Sequence, residues 1–128
     1  MNNERYENGW DTLKNIDGNA GTQVIESLQD IAPDLGKYIV EFAFGDIYSR
    51  GTLDLKQRQL VTISSLTSQG GCEPQLTVHI NAALNVGLST NEIVESIIHC
   101  VPYTGFLRAL NAIFVAKQVF QSRNLQVN

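Results

Sequence analysis

Apolar positions recur with the period of an α-helix along most of this chain, most clearly between Gly70 and Gly87. Four apolar residues there follow the spacing i, i+4, i+7 and i+8: Leu76, Ile80, Ala83 and Leu84. Pro74 suits a first helical turn, where a missing N–H costs nothing, and glycine is the usual residue just beyond a helix end. The pattern therefore predicts a helix that starts after Gly70-Gly71 and stops at Gly87.

A second stripe on the same predicted helix carries reactive side chains. Cys72, Gln75 and His79 are spaced i, i+3 and i+7, so they lie on one helix face beside the apolar stripe. A thiol at a helix N-terminus, an amide one turn on and an imidazole one turn further form the most suggestive cluster in the sequence.

The rest of the chain predicts further amphipathic helices. We expect them over residues 3–15, after a cap at Thr22, from Pro33, over 55–69, from a capping box at Ser89 and Glu92 to an interruption at Pro102, and from Tyr103 to about Arg123. In the last helix the pattern places five apolar residues inward: Phe106, Leu110, Ile113, Phe114 and Phe120.

Residues 61–68 are rich in β-branched side chains and resemble a strand. We favour a helix there, because no second strand candidate exists to pair with it and a lone strand leaves its backbone unsatisfied. The chain is therefore expected to be all-α: a single-domain helical bundle of six to seven helices over residues 1–128. Its apolar stripes are wide for so short a chain, which favours a homo-oligomer built on helix–helix contacts.

Composition narrows the class of protein. The 128 residues carry a net charge of −4, and the nine basic residues are scattered, which argues against a nucleic-acid or anionic membrane surface. No apolar stretch reaches the ~20 residues needed to span a bilayer, and the N-terminus has no hydrophobic signal region, so we expect a soluble, cytoplasmic protein. Cys72 and Cys100 form no Cys-x-x-Cys pair, so we expect reduced thiols and no metal site.

Four pieces of sequence carry a family resemblance. They are residues 41–48 (Glu-Phe-Ala-Phe-Gly-Asp-Ile-Tyr), residues 53–60 (Leu-Asp-Leu-Lys-Gln-Arg-Gln-Leu), the run Gln75-Leu76-x-x-His79-x-x-x-Ala83-x-x-x-Gly87, and Tyr103-x-Gly105 with Asn111-Ala112. In this order and spacing, from about Gly21 to Phe120, the chain resembles the carboxymuconolactone decarboxylase family, which includes the alkylhydroperoxidase D-type proteins. The resemblance implies an all-α fold, trimers or hexamers, and pockets near subunit contacts.

Two branches of that family differ at the central helix. The peroxidase-like members carry Cys-x-x-Cys and a later histidine; here Cys72 and His79 match, but Gln75 stands where the second cysteine would be. The chain is therefore more similar to the decarboxylase branch. It departs from that branch at Phe44, where tryptophan is more usual, and at Leu107, where proline is frequent.

The resemblance implies a small-molecule substrate, a carboxylated unsaturated lactone, and no metal or organic cofactor, because the conjugated carbonyl is itself the electron sink. Such a reaction needs a donor near the developing oxyanion and a proton donor. We expect His79 to supply the proton, Arg58 to hold a substrate carboxylate, and Glu41 to orient one of them. Each has a structural alternative: a buried histidine, a solvated arginine, and an acid paired with Arg58 between helices.

Further residues are expected around the pocket: Gln75, Phe44, Asp46, Tyr48, His99 and Tyr103. For the aromatic ones a place in the core, and for His99 a purely structural role at a helix end, stay open. Two other functions also stay open. One is a thiol peroxidase that uses Cys72, with His79 as base and Cys100 as resolving thiol if folding brings the two cysteines together; the other is a non-catalytic oligomeric binding protein.

Overall fold

The computed structural model describes residues 3–127, and the regular elements within that range are all helical. Seven α-helices and a π-helix follow one another: α1 Glu4–Asp17, α2 Asn19–Ser27, α3 Pro33–Tyr38, the π-helix Ile39–Ile47, α4 Leu55–Gln69, α5 Glu73–Asn85, α6 Thr90–Thr104 and α7 Phe106–Ser122. The all-α prediction is confirmed. The chain clusters into two compact units, Met1–Leu55 and Lys56–Asn128; whether they make a single domain stays a prediction.

In the first unit, α1 begins where the side chain of Asn3 accepts a hydrogen bond from the Tyr6 amide at 3.2 Å. A single residue, Gly18, separates α1 from α2. The predicted cap at Thr22 is wrong, because α2 begins earlier and Thr22 lies inside it. Its hydroxyl donates to the carbonyl of Gly18, an ordinary bond for threonine within a helix.

The π-helix follows α3 without a break and carries the chain past Gly45, a point that the sequence left undecided. Its wider turn shows in the bond from the Tyr48 amide to the Ala43 carbonyl, five residues back, at 2.8 Å. It packs tightly on α1: a Cβ added at Gly9 would lie 1.9 Å from the carbonyl oxygen of Val40. The two backbones approach this closely because Gly9 has no side chain.

The second unit buries one apolar cluster among its helices. The prediction of a helix over 55–69 is confirmed by α4, and the strand alternative for residues 61–68 is wrong. The predicted central helix is confirmed by α5, with Cys72 as its N-cap and Gly87 (φ +103°) just beyond its end. The capping box at Ser89 and Glu92 is also present. The apolar cluster contains Ile63, Leu76, Ile80, Ala83, Leu88, Ile93, Ile97, Ala109, Ala112, Val115, Ala116, Val119 and Phe120.

Pro102 does not end α6, contrary to the prediction. The helix runs through it to Thr104 and stops at Gly105, whose φ is +87° and whose amide bonds to the Val101 carbonyl at 2.9 Å. Pro102 is exposed, and only the last two residues of the helix follow it, so the carbonyl that loses its partner there can face water. The last helix accordingly starts at Phe106 rather than at Tyr103.

The inward face predicted for α7 is largely wrong. Phe106, Leu110 and Phe114 are 73%, 46% and 55% exposed, whereas Phe120 is buried as expected. Small residues, with two valines, fill the face that packs on the other helices: Ala109, Ala112, Val115, Ala116 and Val119. Small side chains let helices approach closely, so the larger ones are left on the outer face.

None of the helices described between residues 3 and 127 combines the length and the apolarity needed to cross a membrane.

Candidate active site

The centre of the candidate site is a side-chain pair that joins α4 to α5. The Nδ1 atom of His79 lies 3.2 Å from Oε1 of Gln59. Gln59 is fully buried and His79 is half-buried. Because a carbonyl oxygen only accepts hydrogen bonds, this contact requires Nδ1 to carry a proton, and in the neutral ring the lone pair is then on Nε2.

Burial sets the charge of this histidine. Desolvation disfavours the imidazolium and lowers the pKa of His79 from 6.5 to about 4. Gln59 is neutral, so the partner at Nδ1 supplies no charge that would offset this loss. His79 is therefore uncharged in the resting protein near pH 7.

Sequence reasoning did not single out Gln59. The signal was present: Gln59, Ile63 and Thr67 fall at i, i+4 and i+8 and form the buried stripe of α4. Among the described residues, the Nε2 atom of Gln59 is buried without a hydrogen-bond partner. An unpaired buried donor costs about 1–3 kcal/mol, so this amide lowers the stability of the fold.

Arg58 precedes Gln59 on α4 and is half-buried. Successive residues on a helix point about 100° apart, so Arg58 leaves the helix in a different direction from the side chain that meets His79. Its backbone carbonyl accepts a hydrogen bond from the Thr62 hydroxyl at 3.0 Å. The predicted hold on a substrate carboxylate stays a prediction.

The two cysteines are free thiols, as expected. Cys72 is half-buried at the N-cap of α5, and its Sγ donates to the Gly70 carbonyl at 3.4 Å. Cys100 is buried in α6 and donates to the Ser96 carbonyl at 3.4 Å.

Glu41 lies in the π-helix of the first unit and is 7% exposed. Its carboxylate accepts from the Asn3 amide at 2.9 Å and lies 3.7 Å from both Arg5 and Lys37. The polar contacts described for this carboxylate thus come from its own unit. Its predicted role in orienting His79 or Arg58 stays a prediction.

The other residues expected at the pocket fall in both units. Asp46 lies in the π-helix and accepts two hydrogen bonds from Arg5 of α1, at 3.1 and 2.7 Å. This bidentate pair holds the pKa of the Asp46 carboxyl below its usual range. The buried ring of Phe44 stacks on Tyr48, with centroids 5.0 Å apart. A common pocket for these residues stays a prediction.

In the second unit, Gln75 is exposed in the first turn of α5. His99 and Tyr103 are exposed on α6, with ring centroids 6.0 Å apart. The cavity described in the first unit, of about 430 Å³, is lined by other residues: Asn3, Tyr6, Glu7, Gln29, Pro33, Asp34 and Lys37.

The fold and the site define the class of protein. Its regular elements within residues 3–127 are all helical, and its central helix carries a desolvated histidine that is hydrogen-bonded to a glutamine side chain. The model of the carboxymuconolactone decarboxylase family matches residues 33–118, and the chain belongs to that family. The match covers α3 through most of α7 and includes both Gln59 and His79.

Individual relatives agree with the family match. The chain is 34% identical over 123 residues to 4-carboxymuconolactone decarboxylase of Acinetobacter baylyi, covering 94% of this chain and 91% of that protein. It is 31% identical over 97 residues to an uncharacterised 15.0 kDa protein of Paracoccus denitrificans, covering 75% and 72% of the two chains. It is 32% identical over 80 residues to nitrosuccinic acid decarboxylase of Metarhizium robertsii, covering 62% and 55%. The family match and the two relatives named as decarboxylases support a decarboxylase-like function.

Proposed function

We propose that this protein is a carbon–carbon lyase that decarboxylates a carboxylated unsaturated lactone without a cofactor, with 4-carboxymuconolactone as the first substrate to test. The observation that carries the proposal is the half-buried, neutral imidazole of His79, in a chain that is 34% identical to a 4-carboxymuconolactone decarboxylase. A histidine of this kind can carry a proton in a site from which water is excluded.

The decarboxylation requires the protein to stabilise an oxyanion and to supply a proton. When the bond to the carboxylate breaks, carbon dioxide leaves and its electron pair moves through the ring double bond onto the lactone carbonyl oxygen. The oxyanion must be stabilised, and a ring carbon must then receive a proton as the carbonyl re-forms. The lactone itself accepts the electrons, so the balance needs only one proton from an acid.

The low pKa of His79 restricts where that proton comes from. In the resting protein the imidazole is neutral, so it must gain a proton before it can act as the acid. A bound substrate carboxylate raises the pKa of a nearby imidazole, because opposite charges stabilise one another most in a desolvated site. We therefore propose that His79 takes up its proton together with the anionic substrate.

Arg58 is the proposed anchor for a substrate carboxylate, since a guanidinium presents paired donors to such a group. Glu41 stays proposed as the residue that orients His79 or Arg58. Carbon dioxide released from 4-carboxymuconolactone tests the function directly. In an Arg58→Gln variant we expect KM to rise at least about tenfold, the loss typical of one charge-assisted bond. No carbon dioxide from the wild type at any pH from 5 to 9 would overturn the proposal for this substrate.

A thiol peroxidase is the alternative from another class, and one observation bears on it. Gln75 stands where the peroxidase-like members carry their second cysteine, so that position supplies no thiol to form a disulfide with Cys72. We expect Cys72 to stay reduced under mild peroxide. If mass spectrometry finds sulfenic acid or a mixed disulfide at Cys72, the thiol peroxidase becomes the favoured function.

We also propose that the chain is a homo-oligomer, a trimer or a hexamer as the family resemblance implies. The outer face of the second unit presents large apolar side chains to solvent: Tyr103, Phe106, Leu107, Leu110 and Phe114. Phe106, Leu110 and Phe114 follow i, i+4 and i+8 along α7 and therefore form one stripe. An apolar face of this extent on a small subunit favours burial against a second copy.

A further inference from the structure

The contact between Gln59 and His79 fixes the tautomer of the imidazole as well as the position of the ring. A neutral imidazole carries its proton on either of two nitrogens, and free histidine favours Nε2. In this structure the carbonyl oxygen of a fully buried glutamine lies 3.2 Å from Nδ1 and can only accept. The contact therefore selects the tautomer that free histidine disfavours and leaves the lone pair on Nε2.

The environment of Gln59 indicates that the glutamine is not there for stability. Its side chain belongs to the buried stripe of α4 with Ile63 and Thr67, next to the apolar cluster of the second unit. Its amide nitrogen is buried with no partner among the described residues. Methionine has a similar length and volume and would fill this position without an unsatisfied donor. Residues that lower stability in this way are most often kept for function.

We infer that Gln59 is a positioning residue for the proposed decarboxylase: it holds His79 in the Nδ1–H tautomer, so that Nε2 is the nitrogen that takes up the proton and delivers it to the substrate. This inference rests on the proposed function for its chemical meaning, but the tautomer itself is a property of the free protein. Gln59 acts through His79 and donates no proton of its own.

A neutral amide suits this task better than a carboxylate. A carboxylate at Nδ1 would hold the imidazole as a cation in the resting protein, because the two charges would stabilise each other. The amide fixes the ring and its tautomer, yet leaves Nε2 unprotonated until the anionic substrate arrives. The proton is then bound at Nε2 and leaves from Nε2, while Nδ1 keeps its hydrogen throughout.

Nitrogen NMR on protein labelled with ¹⁵N-histidine tests the tautomer without any substrate. The His79 signals are those that disappear in a His79→Gln variant. In the wild type near pH 7 we expect a protonated Nδ1 and an unprotonated Nε2. In Gln59→Met we expect the preference to move towards the Nε2–H form. A wild-type His79 that is mainly Nε2–H, or a tautomer unchanged in Gln59→Met, would overturn the inference.

Thermal unfolding and kinetics of the same variant separate positioning from a structural role. We expect Gln59→Met to have an unchanged or higher Tm and to lose about 100-fold in kcat, with KM changed far less, as for a misplaced acid–base group. A lower Tm with normal kcat would show that Gln59 is structural and would overturn the inference. Gln59→Glu, which also accepts from Nδ1–H, should keep the proton on Nδ1, favour the imidazolium in the resting protein and recover part of the lost kcat.

The outcomes also distinguish this inference from the proposed function. An Nδ1–H tautomer that depends on Gln59, in a protein that releases no carbon dioxide from 4-carboxymuconolactone, would leave the positioning intact and refute the decarboxylase. Turnover by a protein whose His79 is in the Nε2–H form would do the reverse.

Discussion

Gln59 and His79 are twenty residues apart in the chain, and one hydrogen bond of 3.2 Å joins them across α4 and α5. Around this bond the protein combines an uncharged imidazole, whose pKa is lowered to about 4, with an amide that the fold buries at a cost in stability. The pair links the packing of the second unit to the chemistry proposed for it.

The low pKa of His79 predicts how stability depends on pH. The folded protein resists protonation of His79, whereas the unfolded chain takes up the proton near pH 6.5. This contribution is therefore complete above pH 6.5 and is lost as the pH falls towards 4, by up to about 3 kcal/mol. We expect the free energy of unfolding, measured in urea, to decrease as the pH is lowered from 7 to 4, and to decrease more steeply in the wild type than in His79→Gln. Parallel curves would contradict the assignment of a low pKa to His79.

Asp17, the last residue of α1, predicts a dependence of the opposite sign. Burial raises the pKa of its carboxyl from 3.8 to about 7, and Oδ1 has no hydrogen-bond partner among the described residues. The folded state keeps the proton that the unfolded chain releases near pH 4, so stability is lost as the pH rises towards 7.

We expect Asp17→Asn to remove this loss and to gain up to about 4 kcal/mol over the wild type above pH 7, with little difference near pH 4. Thermal unfolding at the two pH values measures it. A variant less stable than the wild type at pH 8 would show that the Asp17 carboxylate is stabilised in the fold.

The close approach of α1 to the π-helix predicts a severe effect at Gly9. A methyl group there would meet the Val40 carbonyl at 1.9 Å, so the backbones must separate. We expect Gly9→Ala to lower the free energy of unfolding by about 3 kcal/mol. The matched control is Gly51→Ala, where the added methyl group meets nothing within 4 Å. Equal stability of the two variants in urea would contradict this packing.

The exposed apolar side chains on the outer face of the second unit predict that assembly depends on one of them, Leu107, which is 78% exposed. A charge in a buried apolar contact is costly, so Leu107→Glu should reduce the mass measured by size exclusion with light scattering. Ser65→Glu, at an exposed polar position of α4, is the control and should leave that mass unchanged. A wild-type monomer at all concentrations would refute the oligomer.

Local sequence signals predicted the ends of α4 and α5 and the start of α6, but they failed at Thr22 and at Pro102. They predicted poorly what the helices pack against. The capping box at Ser89 and the bounds of α4 follow from residues adjacent in sequence. The outer face of α7 did not, because Phe106 and Phe114 are apolar and only the close packing of alanines on the other side leaves them outside. The π-helix was missed since an apolar pattern does not distinguish a bond to the fifth preceding residue from one to the fourth.

The residues of the candidate site likewise fall into those that the sequence predicted and those that it did not. His79 followed from helical spacing and from the family resemblance. Its partner Gln59 did not, because the burial of this polar side chain depends on the helices around α4. Glu41 was assigned by resemblance. Its contact with Lys37 is an i, i+4 pair, whereas its contacts with Asn3 and Arg5 join groups that no short-range pattern brings together.

The most direct test of the central claim follows the ultraviolet absorbance of 4-carboxymuconolactone with the wild type and His79→Ala in parallel. We expect turnover by the wild type and a loss of about 10²–10⁴ in kcat for the variant, the contribution typical of a general acid. Unchanged turnover by His79→Ala would remove His79 from the mechanism. No turnover by the wild type would contradict the decarboxylase proposed for this substrate.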